Sequence, residues 1–280
     1  MTGTLDARWD DTLIPYLRSS NEDEVVLRAF ERDAVSVLDQ WTTPFCWFEI
    51  GPGPGTKTLG FARLLSRGSA AIHKTVLVES SKYWICHLEQ TGGLGELRTV
   101  LEAPVSLAEE AFGCFAAKLR ANEPQPRPSL ITMVHVLYDA KALDEFAEFT
   151  FTFAAWACRE PLLYFVVSEA DDSDFAVLRE ALRRRGFDVP AYDAAAVGRI
   201  LSSRSRGMFR EFRLEGKHCL APDEAVDDWL APFLLGCCRE SFRELPGSQR
   251  SEVVAVIHEH LRTRIGGTLW VPDSVCVAVT

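Results

Sequence analysis

Glu49-Ile50-Gly51-Pro52-Gly53-Pro54-Gly55-Thr56 links the end of an apolar run to the start of an amphipathic stretch. Glycine lets the backbone turn sharply and approach a bound molecule closely. The first turn of a following helix offers main-chain N–H groups that have no partner within the helix. The segment therefore predicts a ligand-binding turn between a strand and a helix. Its spacing differs from the G-x-G-x-x-G of nicotinamide-binding turns, which disfavours an oxidoreductase.

Short apolar runs alternate with amphipathic stretches from about residue 45 to residue 170, a pattern typical of βαβ units. The alternation predicts a doubly wound α/β fold with a mostly parallel sheet. The predicted strands are Phe45–Gly51, Lys74–Ser80, Leu97–Ala103, Ser129–Tyr138 and Pro161–Ser168. The predicted helices are Thr56–Ser66, Lys82–Gln90, Leu107–Leu119, Ala142–Cys158 and Asp174–Arg185.

The pattern changes after Gly186. Further helices are predicted near Ala194–Ser203, Pro222–Cys238 and Ser248–Thr263, with strands at Met208–Leu214 and Ser274–Val279. We expect one domain over residues 1–280. Within it, residues 1–40 would form a helical cover, 41–170 a cofactor-binding core, and 171–280 substrate-side additions with the closing strands.

Composition excludes several classes of protein. The net charge of −10 and the pI near 5.2 argue against a nucleic-acid partner, which needs clustered Lys and Arg. No apolar run approaches the ~20 residues of a membrane span, and the first residues lack a hydrophobic leader, so we expect a soluble, cytoplasmic protein. We also expect a monomer. The eight cysteines show no paired CxxC spacing, and His258-Glu259-His260 lacks the i, i+4 spacing of helical metal ligands. We therefore expect no metal.

A second carboxylate, Glu79, ends the strand predicted after the glycine turn. A carboxylate there can accept hydrogen bonds from both ribose hydroxyls of an adenosine-containing cofactor. An acid at a strand end is by itself usually solvated, but its spacing from the glycines favours ribose binding.

The strand predicted at Ser129–Tyr138 brings His135, Tyr138 and Asp139 to its carboxyl end. Ligands bind in the crevice at that edge of open α/β sheets. The alternative is that His135 is a hydrogen-bonded core histidine and that Tyr138 only packs.

The glycine turn resembles the E/D-x-G-x-G-x-G motif of class I S-adenosylmethionine-dependent methyltransferases. The resemblance implies a Rossmann-like sheet of seven mostly parallel strands, with an antiparallel final strand and helical substrate-binding additions. It also implies S-adenosylmethionine as cofactor, with Glu49 helping to hold the methionyl amino group and Trp84 bordering the adenine. The cofactor-binding residues so implied are Glu49, Gly51, Gly53, Gly55, Glu79, Trp84 and Val134.

Several segments are similar to the histamine N-methyltransferase family. They are YLRSSNEDEVVLRAF from Tyr16, HVLYDAKALDEFAEFTF from His135, LLYFVVSEADDSDF from Leu162, DDWLAPFLLGCC from Asp227 and GGTLWVPDSVCVAVT from Gly266. The resemblance implies a small-molecule amine as methyl acceptor. The substrate-binding positions so implied are Glu22, His135, Tyr138, Asp139, Phe175, Phe233 and Asp273.

Glu22 matches the acid that lies beside the amine in that family, with Asp23 and Glu24 as register alternatives. His135 and Asp273 replace the family's glutamine and asparagine, and Asp139 replaces a tyrosine. A titratable histidine thus stands where the family has a neutral amide, and the added carboxylate would favour a more cationic acceptor.

The acceptor amine must lose a proton before it attacks, and Glu22, His135 and Asp273 are the candidate catalytic residues for that step. Two alternatives stay open at this level. One is a methyltransferase for another acceptor, such as a carboxylate, a thiol or a peptide. The other is a non-catalytic protein that only binds the cofactor.

Overall fold

The computed structural model describes residues 10–111, 113–115, 129–134, 161–168, 173–189, 198–200, 202–203, 209–219, 226–237 and 239–279. The chain divides into two compact units. The helical unit comprises Met1–Glu22, Ser168–Ala194 and Glu215–Asp273, and the sheet unit comprises Asp23–Val167, Ala195–Leu214 and Ser274–Thr280. The expected cover over residues 1–40 is thus shared between the units. The expectation of one domain stays a prediction.

Nine strands are described, and seven of them form one sheet. The strands are β1 Phe45–Ile50, β2 Ile72–Glu79, β3 Val105–Glu109, β4 Ser129–Val134, β5 Leu162–Ser168, β6 Phe209–Leu214, β7 Lys217–Cys219, β8 Thr268–Trp270 and β9 Asp273–Val279. The seven-stranded order is β3-β2-β1-β4-β5-β9-β6, and β1 to β5 pair in parallel. This is a Rossmann-like α/β fold, as predicted. The antiparallel direction of β9 stays a prediction.

Helices with regular α geometry confirm the predictions at Thr56–Ser66, Lys82–Gln90 and Asp174–Arg185, whereas the predicted helix Ala142–Cys158 lies outside the described residues. The α-helices are α1 Asp10–Ser19, α2 Glu22–Phe30, α3 Thr56–Leu65, α4 Lys82–Gln90, α5 Gly93–Leu101, α6 Asp174–Arg183, α7 Ala231–Leu235, α8 Arg239–Glu244 and α9 Gly247–Leu261. A π turn, Glu31–Val35, and a last turn, Ser36–Leu38, extend α2, while the π turn Val226–Leu230 precedes α7. No helix in the described part of the chain is long and apolar enough to cross a membrane.

The strand predicted at Leu97–Ala103 is wrong, because these residues end α5 and enter the following turn. Leu97 and Leu101 are buried and lie four residues apart, the spacing of one helix face. The strand is β3, eight residues later than predicted at its start, so the helix predicted to begin at Leu107 is also wrong there. A short apolar run is compatible with either structure, and packing decided between them.

The strand order reverses direction between β1 and β4, which pair with the register Glu49 to Thr132 and Ile50 to Met133. A doubly wound sheet binds its ligands at the carboxyl ends of the strands on either side of such a reversal. All six residues of β1 and all six of β4 are buried, as expected for central parallel strands covered on both faces. The sheet therefore brings the glycine turn after β1 and Val134 at the end of β4 to its expected ligand edge.

The helical unit packs α1, α6, α7, α8 and α9 around its own apolar core. A small antiparallel pair, β7 with β8, belongs to it and was not predicted from the sequence. Ser173 is the N-cap of α6, and its side chain accepts a hydrogen bond from the N–H of Ala176 at 3.0 Å. The buried residues Phe175, Leu178 and Leu182 of α6 recur at helical spacing and form the face that meets the core.

Candidate functional site

Gly51, Gly53 and Gly55 all have positive φ, at 66°, 54° and 80°. Residues with a side chain rarely adopt this conformation, so glycine is required for the path of the turn. The N–H of Gly51 donates to Val78 O at 2.8 Å, which ties the turn to β2. Gly55 is the N-cap of α3, and no side chain caps the helix there. The helix start is thus built from main-chain groups, as an anion-binding helix terminus requires.

Glu79 at the end of β2 is buried, and its carboxylate is bonded to the glycine turn. Its Oε2 accepts the N–H of Gly53 at 3.1 Å, and its Oε1 accepts the N–H groups of Ser80 and Ser81 at 2.8 Å each. Two features that are 26 residues apart in the sequence therefore form one polar site. Hydrogen bonds from N–H groups to an ionised carboxylate are stronger than neutral ones, so they fix the position of this side chain.

Glu49 is a buried carboxyl group in the central strand β1, with 2% of its surface exposed. The hydroxyl of Thr132 donates to its Oε2, and the hydroxyl of Thr58 donates to its Oε1 at 3.4 Å. The indole N–H of Trp47 in turn donates to Thr132 Oγ1 at 2.8 Å. Burial raises the pKa of Glu49 to about 8, against the smaller opposing effects of these hydrogen bonds and of Lys57.

Such a raised pKa marks a carboxyl group that holds its proton near neutral pH and is poised to respond to an arriving positive charge. Glu49 was predicted from the sequence, but the two hydroxyl groups around it were not. Thr132 and Thr58 carry no distinguishing pattern in the sequence, and the register of β4 against β1 and the packing of α3 bring them to Glu49.

Trp84 and Val134, both predicted to bind the cofactor, are buried in the sheet unit. Trp84 lies in α4 and packs edge-on against Tyr83 and His87, with ring centroids 4.8 Å and 5.7 Å apart. Val134 is the last residue of β4. Their contact with a cofactor stays a prediction.

Three residues predicted on the substrate side meet in the helical unit. Glu22, Phe175 and Phe233 are all buried, and each contacts Tyr16. The hydroxyl of Tyr16 donates to Glu22 Oε2 at 2.9 Å, and its ring stacks on Phe233 at 4.5 Å with an interplanar angle of 18°. The centroid of Phe175 lies 6.2 Å from that of Tyr16. Segments far apart in the sequence thus form one cluster of rings around a carboxylate.

The register alternatives to Glu22 lie elsewhere. Asp23 belongs to the sheet unit, where its carboxylate pairs with the Lys57 ammonium at 2.9 Å. Glu24 pairs with Arg28 on an exposed face of α2. Glu22 alone of these three acids is buried among aromatic rings.

Three residues that were not predicted complete the cluster: Tyr16, His218 and Trp229. The ring of His218 lies 4.5 Å from that of Tyr16, and the ring of Trp229 lies 6.1 Å from it. Tyr16 and Trp229 fall inside the segments that carry the family resemblance, so their position was available as a clue. His218 lies in β7, and only tertiary packing brings it to the cluster.

The structure does not describe the side chains of the remaining predicted site residues. His135, Tyr138 and Asp139 are outside the described residues. Asp273 is the first residue of β9, and its side chain is not among those described. Their roles in substrate binding and catalysis stay predictions.

The sheet order defines an α/β protein of the Rossmann-like class. The glycine turn and the two acids are a candidate ligand site at the carboxyl edge of the sheet. No family model and no curated protein sequence matches the chain.

Solved structures with a similar chain path include several methyltransferases. The precorrin-6y C5,15-methyltransferase from Geobacter metallireducens is 10% identical, with a TM-score of 0.43 over 89% of this chain and 88% of that chain. An O-methyltransferase from Bacillus cereus in complex with SAH is 8% identical, with a TM-score of 0.45 over 99% and 93% of the two chains. A cyclopropane-fatty-acyl-phospholipid synthase-like protein from Lactobacillus casei is 13% identical, with a TM-score of 0.46 over 90% and 92%. At this level the likeness assigns no reaction to this chain.

Proposed function

We propose that this chain is an S-adenosylmethionine-dependent methyltransferase that methylates a nitrogen of a small, histamine-like amine. The observation that carries the cofactor part is the hydrogen bond between the Glu79 carboxylate and the N–H of Gly53. It joins the two features that recognise an adenosine-containing cofactor, a glycine turn at a helix start and an acid at the next strand end.

The turn fits a ligand of this kind. A Cβ added to Gly53 would meet no atom within 4 Å, so the turn faces open space at this residue. The residues that would hold the cofactor are Glu49, Gly51, Gly53, Gly55, Glu79, Trp84 and Val134. Glu49 would face the ammonium group, Glu79 the ribose, and the start of α3 the carboxylate.

To bind a ribose, the Glu79 carboxylate must give up one of its present hydrogen bonds. A carboxylate has about four acceptor positions, and three main-chain N–H groups already bond to this one. Two ribose hydroxyls need two positions, so one N–H must be released or shared. The Gly53 contact is the longest of the three at 3.1 Å, and we expect it to be the one released.

The cofactor would supply an electrophilic methyl group on a sulfonium. The chain's own residues then have to hold the acceptor in line and remove its proton. Glu22 is placed among aromatic rings, and a carboxylate beside aromatic faces is a favourable environment for an amine. We propose Glu22 as the residue that holds the amine, with Glu22, His135 or Asp273 accepting the proton.

Calorimetric titration with S-adenosylhomocysteine tests the cofactor. We expect binding of this compound, no binding of NAD, and a roughly 100-fold weaker association in Glu79→Gln, because the single acceptor oxygen of an amide cannot accept both ribose hydroxyls together with the N–H groups of Ser80 and Ser81. Glu109→Gln is the matched control, since Glu109 is exposed and lies next to Glu79 in the register of the parallel strands β2 and β3. Absence of binding by the folded, unaltered chain would refute the proposal.

Mass spectrometry of a panel of amines after incubation with cofactor tests the acceptor. A gain of one methyl group by an imidazole-containing or aromatic amine is the expected product. Methylation of a carboxylate, thiol or peptide instead would support the proposed methyl transfer but contradict the proposed amine acceptor. Cofactor binding without any methylated product would indicate a non-catalytic cofactor-binding protein.

Alanine at Gly53 and at Gly55 should have different consequences. Both glycines have positive φ, so each substitution costs roughly 1–2 kcal/mol in backbone strain. At Gly55 the added Cβ would also lie 2.5 Å from Leu88 Cδ2, so the buried Leu88 side chain must move and Gly55→Ala should be the less stable variant. At Gly53 the methyl group enters open space, so Gly53→Ala should lose little stability to unfolding beyond the backbone strain, and its main effect should be weaker cofactor binding. Thermal unfolding and calorimetry together separate the two effects, and equal affinity in Gly53→Ala would exclude close approach of the ligand at this residue.

A further inference from the structure

Tyr16 has the properties of an acceptor bound in the helical unit. It is a single flat ring with a hydrogen-bond donor, the donor bonds to Glu22, and the ring is stacked on Phe233. The ring of His218 lies equally close, at 4.5 Å. Both the ring and the carboxylate are buried, with 4% and 3% of their surfaces exposed.

The main chain around this contact is pinned. The N–H of Asn21 donates to Lys217 O at 3.1 Å, and the N–H of Lys217 donates back to Asn21 Oδ1 at 2.7 Å. Ser19 Oγ donates to Tyr16 O and lies 2.9 Å from Nδ1 of His218. These bonds hold the backbone from Tyr16 to Glu22 against β7, so an exchange of the ring for another ring would require rotation of the Tyr16 side chain itself.

We propose that Tyr16 is a specificity-determining gate that occupies the acceptor site and is displaced by a flat, single-ring aromatic amine. The inference rests on the proposed function, because it concerns the site of Glu22. The phenol competes with the acceptor for the carboxylate, and the ring competes for the faces of Phe233 and His218.

Charge favours the exchange. The phenol is a neutral donor, whereas an amine that approaches as a cation forms a charge-assisted hydrogen bond with the carboxylate and a cation–π contact with the rings. Arg179, whose guanidinium carbon lies 5.4 Å from the centroid of Phe233, adds a positive charge to this neighbourhood. The site should therefore favour amines whose positive charge lies on or near a flat ring.

Direct titration with histamine, without cofactor, tests the gate. Tyr16→Phe keeps the ring and removes the hydroxyl, so the acceptor no longer has to displace it from Glu22, and we expect binding about tenfold tighter than in the unaltered chain. Tyr16→Ala also removes the ring and should bind at least as tightly as Tyr16→Phe. Tyr164→Phe is the matched control, since Tyr164 is a buried tyrosine of the sheet unit whose hydroxyl donates to Val26 O at 3.3 Å. Its histamine affinity should not change.

Weaker or unchanged binding of histamine by Tyr16→Phe would contradict the proposed role of Tyr16 as a gate. If Tyr16 were a wall that helps hold the acceptor, Tyr16→Phe would bind histamine more weakly, and if it were only a core residue the affinity would stay the same. Glu22→Gln combined with Tyr16→Phe should lose the gain, and retention of the gain would place the amine elsewhere. Absence of histamine binding by a folded Tyr16→Phe also rejects the gate. Binding of S-adenosylhomocysteine, measured separately, shows whether the cofactor part of the proposed function survives in each case.

Discussion

Glu49→Gln should be more stable than the unaltered chain at pH 9, by roughly 2–4 kcal/mol, and should bind the cofactor at least tenfold more weakly. The carboxyl group it replaces is buried and has a pKa raised to about 8 by desolvation. Ionising it inside the fold is therefore costly, and an amide of similar shape avoids that cost. The expected gain in stability is smaller than the full free energy of the pKa shift, because the new N–H₂ group needs a hydrogen-bond acceptor of its own.

The sign of the pH dependence follows from the two pKa values. The unfolded chain loses this proton near pH 4.5 and the folded chain near pH 8. Between those values the folded state binds more protons, so the free energy of unfolding falls as the pH rises from about 4.5 to 8 and then levels off. The shift corresponds to roughly 5 kcal/mol across that window. Glu49→Gln should remove this contribution to the slope.

Urea denaturation from pH 5 to 9 measures the slope directly. Glu89→Gln, which neutralises an exposed acid on α4, serves as the control and should keep the slope of the unaltered chain. Binding of a cofactor that carries an ammonium group should lower the pKa of Glu49 and release a proton at pH 7, which calorimetry in buffers of different ionisation enthalpy detects. A slope unchanged in Glu49→Gln would show that this carboxyl group does not titrate in the window.

Asp174→Asn should destabilise the helical unit by roughly 2–4 kcal/mol. Asp174 is 1% exposed and gathers three donors. His260 Nε2 lies 2.7 Å from its Oδ1, the N–H of Trp270 donates to its Oδ2 at 2.6 Å, and Arg264 also bonds to Oδ1. An asparagine turns one of its two acceptor atoms into a donor, so at least one of these groups loses its partner. We place the effect below that of a fully buried ion pair because Arg264 remains 40% exposed.

The same contact predicts acid sensitivity. Burial acts to raise the pKa of Asp174, but the hydrogen bonds from His260 and Trp270 and the charge of Arg264 outweigh it and lower the pKa below 3.8. A carboxylate with a lowered pKa stabilises the fold above its unfolded value, and that stability is lost as the pH falls through the folded value. Asp174→Asn should therefore lose stability at pH 7 and show a smaller further loss below pH 4.

Hydrogen exchange of the Trp270 amide, together with urea denaturation, measures this effect within the helical unit. Asp228→Asn is the control, because the Asp228 side chain is about half exposed and its carboxylate lies 3.8 Å or more from the guanidinium groups of Arg239 and Arg243. Exposed pairs of this kind contribute little, so the control should change stability by less than about 1 kcal/mol. Full protection of the Trp270 amide in Asp174→Asn would show that the three donors find other partners.

Sequence patterns predicted the structure best where a backbone conformation is open to only a few residue types. The positive φ values at Gly51, Gly53 and Gly55 leave glycine as the suitable residue, which is why the turn was recognisable. The strand misplaced at Leu97–Ala103 shows the opposite case, since a short apolar run satisfies both periodicities and only packing selected the helix.

By itself, the sequence determined the α/β class, the turn between β1 and α3, and the acids at positions 49 and 79, because each depends on local backbone geometry or on a short periodicity. Tertiary structure alone decided that Glu79 bonds to the turn, that Thr132 and Thr58 surround Glu49, and that Tyr16 and His218 join Glu22. These contacts join residues from separate elements of the chain. Their formation depends on strand register and on helix packing, which are set by burial of the whole core rather than by any single segment.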